Sequence, residues 1–405
     1  MSYSLKETVQ FDPSNMSAFG TLETAELTPV VQVDFVHGLN SQIGAGTTAN
    51  SATVDTSAGR LRLQSGTNSA GSAIYATRRV AKYRPGQGIT ARFTAAFTTG
   101  VANSKQIVGM GNADNGYFFG YNGTAFGICH RIAGSDTWVA QSSWNGDKAD
   151  GTGASAFNWN KTYGNVLQIK YPFLGYGDIG FYVEDQTTSR WILVHTIRYA
   201  NTTATIQLTN PNLFFYAQSI NSGATTNQII YVGSVGAFLS GARDYIGSPR
   251  WATDNNKAAV TAETVLFSIR NATTYNGITN RSLIRLQSLS VAADAGKNTV
   301  AVAVFRLRVG ATLGGSPSYA AINGTTADSG VTITSGNSIA SVDVAGTTAS
   351  AGTLIYNAAV SEPGTGIIDL TPFGLFVAPG EVLTISGFST SSATMAAALN
   401  WSEDI

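Results

Sequence analysis

The amino-acid sequence predicts an all-β protein built from two β-sandwich or jelly-roll domains, the first of them the larger. Three observations carry this. Apolar and polar residues alternate at a period of two through most of the chain, as in half-buried strands. Glycine occurs 44 times in 405 residues, among many Thr, Ser and Asn, which suits frequent turns. No long segment carries the 3.6-residue period of a helix, and Lys and Glu, which usually fill helix surfaces, are scarce.

Residues 1–27 are polar and lack a clear period, and are expected to form an N-terminal anchor or arm. Pro29 and the run 30–36 then open strand-like sequence. The stretch 38–59, rich in Gly, Ala, Thr, Asn and Ser, reads as a long loop or a hairpin tip. The clearest strand is 89–97, where Ile89, Ala91, Phe93, Ala95 and Phe97 share one face and Thr90, Arg92 and Thr94 the other. Further strands are expected at 60–64, 106–110, 116–121, 125–132, 166–171, 179–184, 191–199, 213–218 and 229–239. Trp191-Ile192-Leu193-Val194 is apolar on both faces and predicts a central strand. Tyr121-Asn122-Gly123-Thr124 predicts a hairpin with a type I′ turn. Many short strands at this spacing predict a sandwich over 28–240.

Residues 241–262 are polar and punctuated by Gly and Pro, and are expected to link the domains. A smaller sandwich is expected over 263–405, with strands at 264–270, 283–291, 300–309, 330–334, 338–344, 353–360, 376–377, 382–388 and 395–401. The apolar phase slips at Val304/Phe305, where a β-bulge is expected. Pro379-Gly380 marks a turn, and 259–266 is the best short-helix candidate.

Composition narrows the function classes. Charged residues are 12% of the chain, against about 25% in an ordinary domain, and 24 basic side chains balance 24 acidic ones. Zero net charge argues against nucleic-acid binding, which depends on neutralising phosphates. A single cysteine, Cys129, excludes a disulfide framework within one chain and any cysteine-based zinc site. No stretch approaches the ~20 apolar residues of a membrane span, and the opening residues Met1 to Glu7 lack the apolar core of a secretory leader. The sparse charge suits a surface covered by copies of the same chain, although a secreted Thr/Ser-rich β protein has a similar profile.

Chemistry is thin. The three histidines, His37, His130 and His195, read as structural or surface residues rather than general bases. Glu184-Asp185 point to opposite faces of one strand, and Asp147 and Asp150 sit in a Gly-rich loop, so no facing carboxylate pair for glycoside cleavage is expected. Asn112-Ala113-Asp114-Asn115-Gly116 reads as a turn, not a calcium loop, and no cofactor or metal site is expected. Arg78, Arg79, Lys82 and Arg84 make a dense basic run, which either meets an anionic partner or forms an ion-pair strip at an interface. Trp138, Trp144 and Trp159 lie in Gly/Ser/Asn-rich sequence downstream of Tyr121. Their rings either stack on sugars or pack in a core or interface.

Two groups of segments carry a family resemblance. One is 78–88, with Arg92-Phe93-Thr94, Asn115 to Gly123 and Phe126-Gly127-Ile128. The other is Asn271 to Gly277 with Asn280-Arg281, Ile368 to Pro372 and the ending Leu399 to Asp404. Together, over most of 28–405, they resemble virion structural proteins of tailed bacteriophages and some large DNA viruses, of the fibre, spike or decoration type. The resemblance implies a lectin-like first sandwich, a smaller β domain, and a homo-oligomer, often a trimer. It transfers no catalytic residue. The expected setting is the virion, assembled in the host cytoplasm, with other virion proteins engaged through the N-terminal segment; the role is either adhesion to host-surface glycan, which predicts Trp144 and Trp159 exposed, or cementing of the particle, which predicts the aromatics and 78–84 buried at contacts. A cellular carbohydrate-binding or surface-layer protein, and a glycan-degrading enzyme, are the alternatives.

Overall fold

The computed structural model describes residues 27–241, 249–296, 301–322 and 338–405. The chain divides into two compact units, with the boundary between residues 243 and 244. The expected anchor lies almost wholly outside the described residues, as does the expected strand at 330–334.

The larger unit contains β1 (Leu27–Asp34), β2 (Gly44–Ala49), β3 (Thr53–Ser57), β4 (Arg60–Gln64), β5 (Ser72–Thr77), β6 (Ile89–Phe97), β7 (Ser104–Gly111) and β8 (Gly116–Asn122). It continues with β9 (Ala125–Ile132), β10 (Ser135–Ala140), β11 (Asn165–Tyr171), β12 (Ile179–Glu184), β13 (Trp191–Ile197), β14 (Phe214–Asn221), β15 (Ile229–Val232) and β16 (Ser234–Ser240). Two antiparallel sheets face each other. The first runs β13-β12-β11-β6, where β6 pairs with both β15 and β16; β15 leads on to β4 and β3, and β16 to β1. The second runs β10-β9-β8-β7-β14-β5-β2. The alternation in β6 sets the layers. Ile89, Ala91, Phe93, Ala95 and Phe97 enter the core, where they meet Tyr117, Phe119, Phe181 and Phe215. The two partners of β6 part at Gly233, where the Thr94 hydroxyl accepts the amides of Gly233 and Ser234 at 2.8 and 3.1 Å.

The smaller unit is also a sandwich. One sheet orders Arg250–Val260, Ala393–Glu403, Ile284–Asp294 and Gly364–Asp369, and the other Ala320–Ala321, Ala340–Asp343, Thr264–Asn271, Val382–Ser389, Ala301–Val309 and Thr353–Glu362. Trp401, Phe267, Phe305, Leu399 and Ile385 fill the space between them. Glu403 continues the inward phase of its strand and is fully buried. Its carboxylate accepts the Ser338 hydroxyl, the Ile339 amide at 3.1 Å and the Trp401 indole N–H at 3.1 Å.

Several expectations are corrected. The stretch 38–59 contains β2 and β3, which pair in different sheets. Residues 250–260 of the expected linker form a strand against Ala393–Glu403, and 259–266 holds strand ends, not a helix. β13 is an edge strand, not a central one; Trp191 and Leu193 lie on the outer face. Ala301, Ala303, Phe305 and Leu307 keep one inward phase through 304/305, and the irregularity falls at Leu307/Arg308. The β8–β9 turn pairs Asn122 with Ala125, and its first central residue, Gly123, has φ +60°. Thr124 and Asn122 have no positive φ, which fits type II′, not I′.

Candidate functional site

The candidate site lies in the connection from β10 to β11, residues 141–164. Short polar side chains wrap this loop. Asp147 accepts the amides of Ala149 and Ser155, and Asp150 accepts the amide and hydroxyl of Thr152. Gln141 donates to the carbonyls of Lys148 and Ala149, and the Trp159 amide donates to Ala149. The compact loop turns both of its indoles inward. Trp144 is 3% exposed and Trp159 2%. They pack against each other at 6.2 Å and against Phe126, which lies 4.9 Å from Trp159 and 4.9 Å from Tyr121. Neither tryptophan presents a free ring face, so the stacking-platform reading of Trp144 and Trp159 is corrected to core. Both close the end of the sandwich.

The four aromatic candidates do not converge. Tyr121 and Trp159 meet at one depression of about 460 Å³, lined also by Asn158, Asn160, Lys161 and Thr162. Trp144 is packed against Trp159. Trp138 is half-buried on the outer face of the second sheet, opposite Cys129 and packed on a cluster with Phe118 and Tyr216. Burial pushes the Cys129 thiol well up, so it is an inert core group.

Sequence reading missed the residues that give the depression its chemistry. The Phe97 amide donates to the Lys161 carbonyl, which pins that residue to the end of β6. Its ammonium sits 5.6 and 5.9 Å from the centres of the Phe126 and Trp159 rings. Burial pulls its pKa down, and the Asp150 charge partly offsets this. Among the described residues nothing accepts a hydrogen bond from Lys161 Nζ, and the Asn158 amide group has no partner. Asn160 Oδ1 accepts from Thr162, which leaves Nδ2 facing solvent as a donor. The buried Trp159 indole N–H donates to no group. Amide donors and acceptors beside a cation and a ring edge suit a hydroxyl-rich ligand. The sequence signal was slight: Asn158-Trp159-Asn160-Lys161 alternates polar and aromatic residues.

The basic run lies on the β5–β6 connection, not along a strand. Arg79 is exposed, Arg78 and Arg84 are half-buried, and Lys82 is buried at 9% exposure, so the four make no single stripe. The loop carboxylates are turn builders. Hydrogen bonds from Thr152 hold Asp150 low, and those from Thr187 and Thr188 hold Asp185 low. Asn112 Oδ1 accepts the amides of Asp114 and Asn115, as a turn requires.

The histidines are structural where they are buried. His130 Nε2 lies 2.8 Å from the Gln207 carbonyl and Nδ1 3.3 Å from the Tyr199 hydroxyl. A neutral ring with the proton on Nε2 satisfies both contacts, with the hydroxyl donating to Nδ1. Burial pulls the His130 pKa down, the Gln207 carbonyl opposing, and burial does the same at His195. The unfolded chain therefore binds more protons as pH falls below about 6.5. Stability of the larger unit is full above that pH and declines as pH drops towards the depressed folded values. Urea midpoints measured from pH 7.5 to 5 check this, and His130→Gln flattens the decline.

No family model and no curated protein matches the chain. Solved structures do. A cellulose-induced protein, Cip1, is similar at 10% identity and TM-score 0.35, over 51% of this chain and 96% of that one. The carbohydrate recognition domain of Emp46p, in its potassium-bound form, is similar at 10% identity and TM-score 0.32, over 50% and 90%. A beta-1,3-glucanase from Mycobacterium marinum is similar at 10% identity and TM-score 0.33, over 49% and 91%. Likeness at this level assigns no residue a role.

Proposed function

We propose that the chain is a non-enzymatic structural protein of a virus particle, and that its larger sandwich binds host-surface glycan at the Tyr121–Trp159–Lys161 depression. The observation that carries the glycan reading is one depression that brings the exposed Asn158 and Asn160 amides beside the half-buried Lys161 ammonium and the Tyr121 and Trp159 rings. A saccharide supplies hydroxyls that both donate to and accept from such groups. The site is shallow, so single contacts are weak, and display in many copies converts weak sites into firm adhesion. The virion setting is supported by the sequence resemblance over most of 28–405. The sparse charge fits the expected homotrimer, whose surface is largely covered by its own copies. Binding without cleavage is supported by the commitment of Asp147, Asp150 and Asp185 to building turns.

A glycan array probed with the intact chain tests the binding. A defined subset of glycans is retained, and Asn158→Ala and Lys161→Met each weaken retention at least tenfold while the melting temperature holds. Retention of nothing, or equal retention by both variants, overturns the assignment. Light scattering on the same samples gives three chain masses if the oligomer is as proposed, and one if it is not.

A further inference from the structure

A second, chemically different site lies on the outer face of the first sheet. The inward residues of β6, β11 and β12 leave Thr90, Arg92 and Thr94, then Val166, Gln168 and Lys170, then Gly180, Tyr182 and Glu184 on this outer face. β13 adds Trp191, Leu193 and Thr196, and β16 adds Ser234, Gly236 and Phe238. Register places Arg92, Gln168, Tyr182 and Leu193 in one row across four strands.

Arg92 organises the face. Its guanidinium lies 5.8 Å from the Trp191 ring on one side and 5.9 Å from the Phe238 ring on the other. Trp191 stands three strands away from β6. The two long side chains therefore lean together over Gln168 and Tyr182, which explains why outward-facing residues are 0% and 8% exposed. Arg92, Trp191 and Phe238 themselves stay partly exposed. Tyr182 and Phe238 fold back over Gly180 and Gly236, where any Cβ would strike the rings at 2.8 Å. The two glycines thus let these rings lie flat on the sheet.

Beside Arg92 the polar groups left over are Gln168 Nε2 and, one row along, the Thr90 hydroxyl. Arg92 Nε donates to Gln168 Oε1 at 2.8 Å, which fixes the amide so that Nε2 is the remaining group. Gln168 Nε2 is buried and has no acceptor, and the Thr90 hydroxyl beside it is also buried and unbonded. Among the described residues nothing accepts from the Arg92 Nη atoms. Lys170, one row along, is buried, with its ammonium 6.0 Å from the Tyr182 ring. The carboxylates of this face stand one row from Arg92, Glu184 across from Trp191 and Asp34 across from Ser234, and among the described residues no ion pair joins either to Arg92.

We infer that this face binds the carboxylate or sulfate groups of an acidic polysaccharide. Arg92 pairs with the anion, Gln168 holds the guanidinium in place through Nε, and the Trp191 and Phe238 rings flank the sugar faces on either side. The inference stands apart from the loop depression, which it does not need.

Polygalacturonate, dextran sulfate and neutral dextran, titrated into the intact chain by calorimetry at low and high salt, test it. Binding of at least one acidic polymer and not of dextran is expected, weakening as salt rises. Arg92→Ala and Trp191→Ala each reduce it at least tenfold. Trp191→Ala sits on an edge strand and keeps the test valid if the arginine variant fails to fold. Polygalacturonate binding with dextran sulfate inert identifies the group as carboxylate, and the reverse as sulfate. Failure of both acidic polymers, equal binding of dextran, or unchanged binding by Trp191→Ala overturns the inference.

Discussion

Trp159→Ala lowers the stability of the larger unit by about 3–5 kcal/mol. The indole is 2% exposed and touches Phe119, Phe126 and Trp144 at centroid distances of 5.8, 4.9 and 6.2 Å. Its removal opens a void at the end of the sandwich that the neighbouring rings fill only in part. The Lys161 ammonium also loses one of its two ring partners. Chemical denaturation of the intact chain reads the effect directly. Trp138→Ala is the control. That residue is half-buried on an outer face, and its loss costs far less. Equal losses from the two variants would show that Trp159 is no more a core residue than Trp138.

Glu403→Ala destabilises the smaller unit by on the order of 3 kcal/mol, because it strands buried donors. The Ser338 hydroxyl, the Ile339 amide and the Trp401 indole all lose their acceptor at once. The carboxylate ties residues 338–339 to the last strand, so the edge that contains Ala340–Asp343 loosens too. Glu403→Gln keeps the volume and one acceptor oxygen, and loses less than the alanine variant. Differential scanning calorimetry distinguishes the two, with the alanine transition falling by roughly 6–12 °C. An unmoved transition would mean that the carboxylate contributes nothing to folding.

Strands were legible where one face is buried. β4 and β16 follow their alternation closely because packing enforces a period of two. Strands with little to bury were not legible. Arg250–Val260 alternates exposed and half-buried residues along a polar sequence, and so read as linker. Centrality was misread at β13, since an apolar run records that both faces are partly covered, not that both edges are paired. At β6 the sequence correctly separated Arg92 from the core, but Trp191 and Phe238 reach it from strands distant in the chain. Their convergence is a product of sheet order. The loop tryptophans were left between sugar stacking and core packing for the same reason. Composition shows an indole among Gly, Ser and Asn, whereas its burial depends on Phe97, Phe119 and Phe126 arriving from other strands. Lys161 carried no signal beyond its neighbours, because its value lies in the acceptor that it lacks.

Hydrogen–deuterium exchange of the intact chain, with and without a saturating glycan selected on the array, tests the central claim most directly. Glycan binding at the loop depression predicts slowed exchange in peptides covering 157–163 and 121–126, with the outer face of the first sheet unchanged. Protection elsewhere with those peptides unaffected, or no protection at saturation, would contradict it.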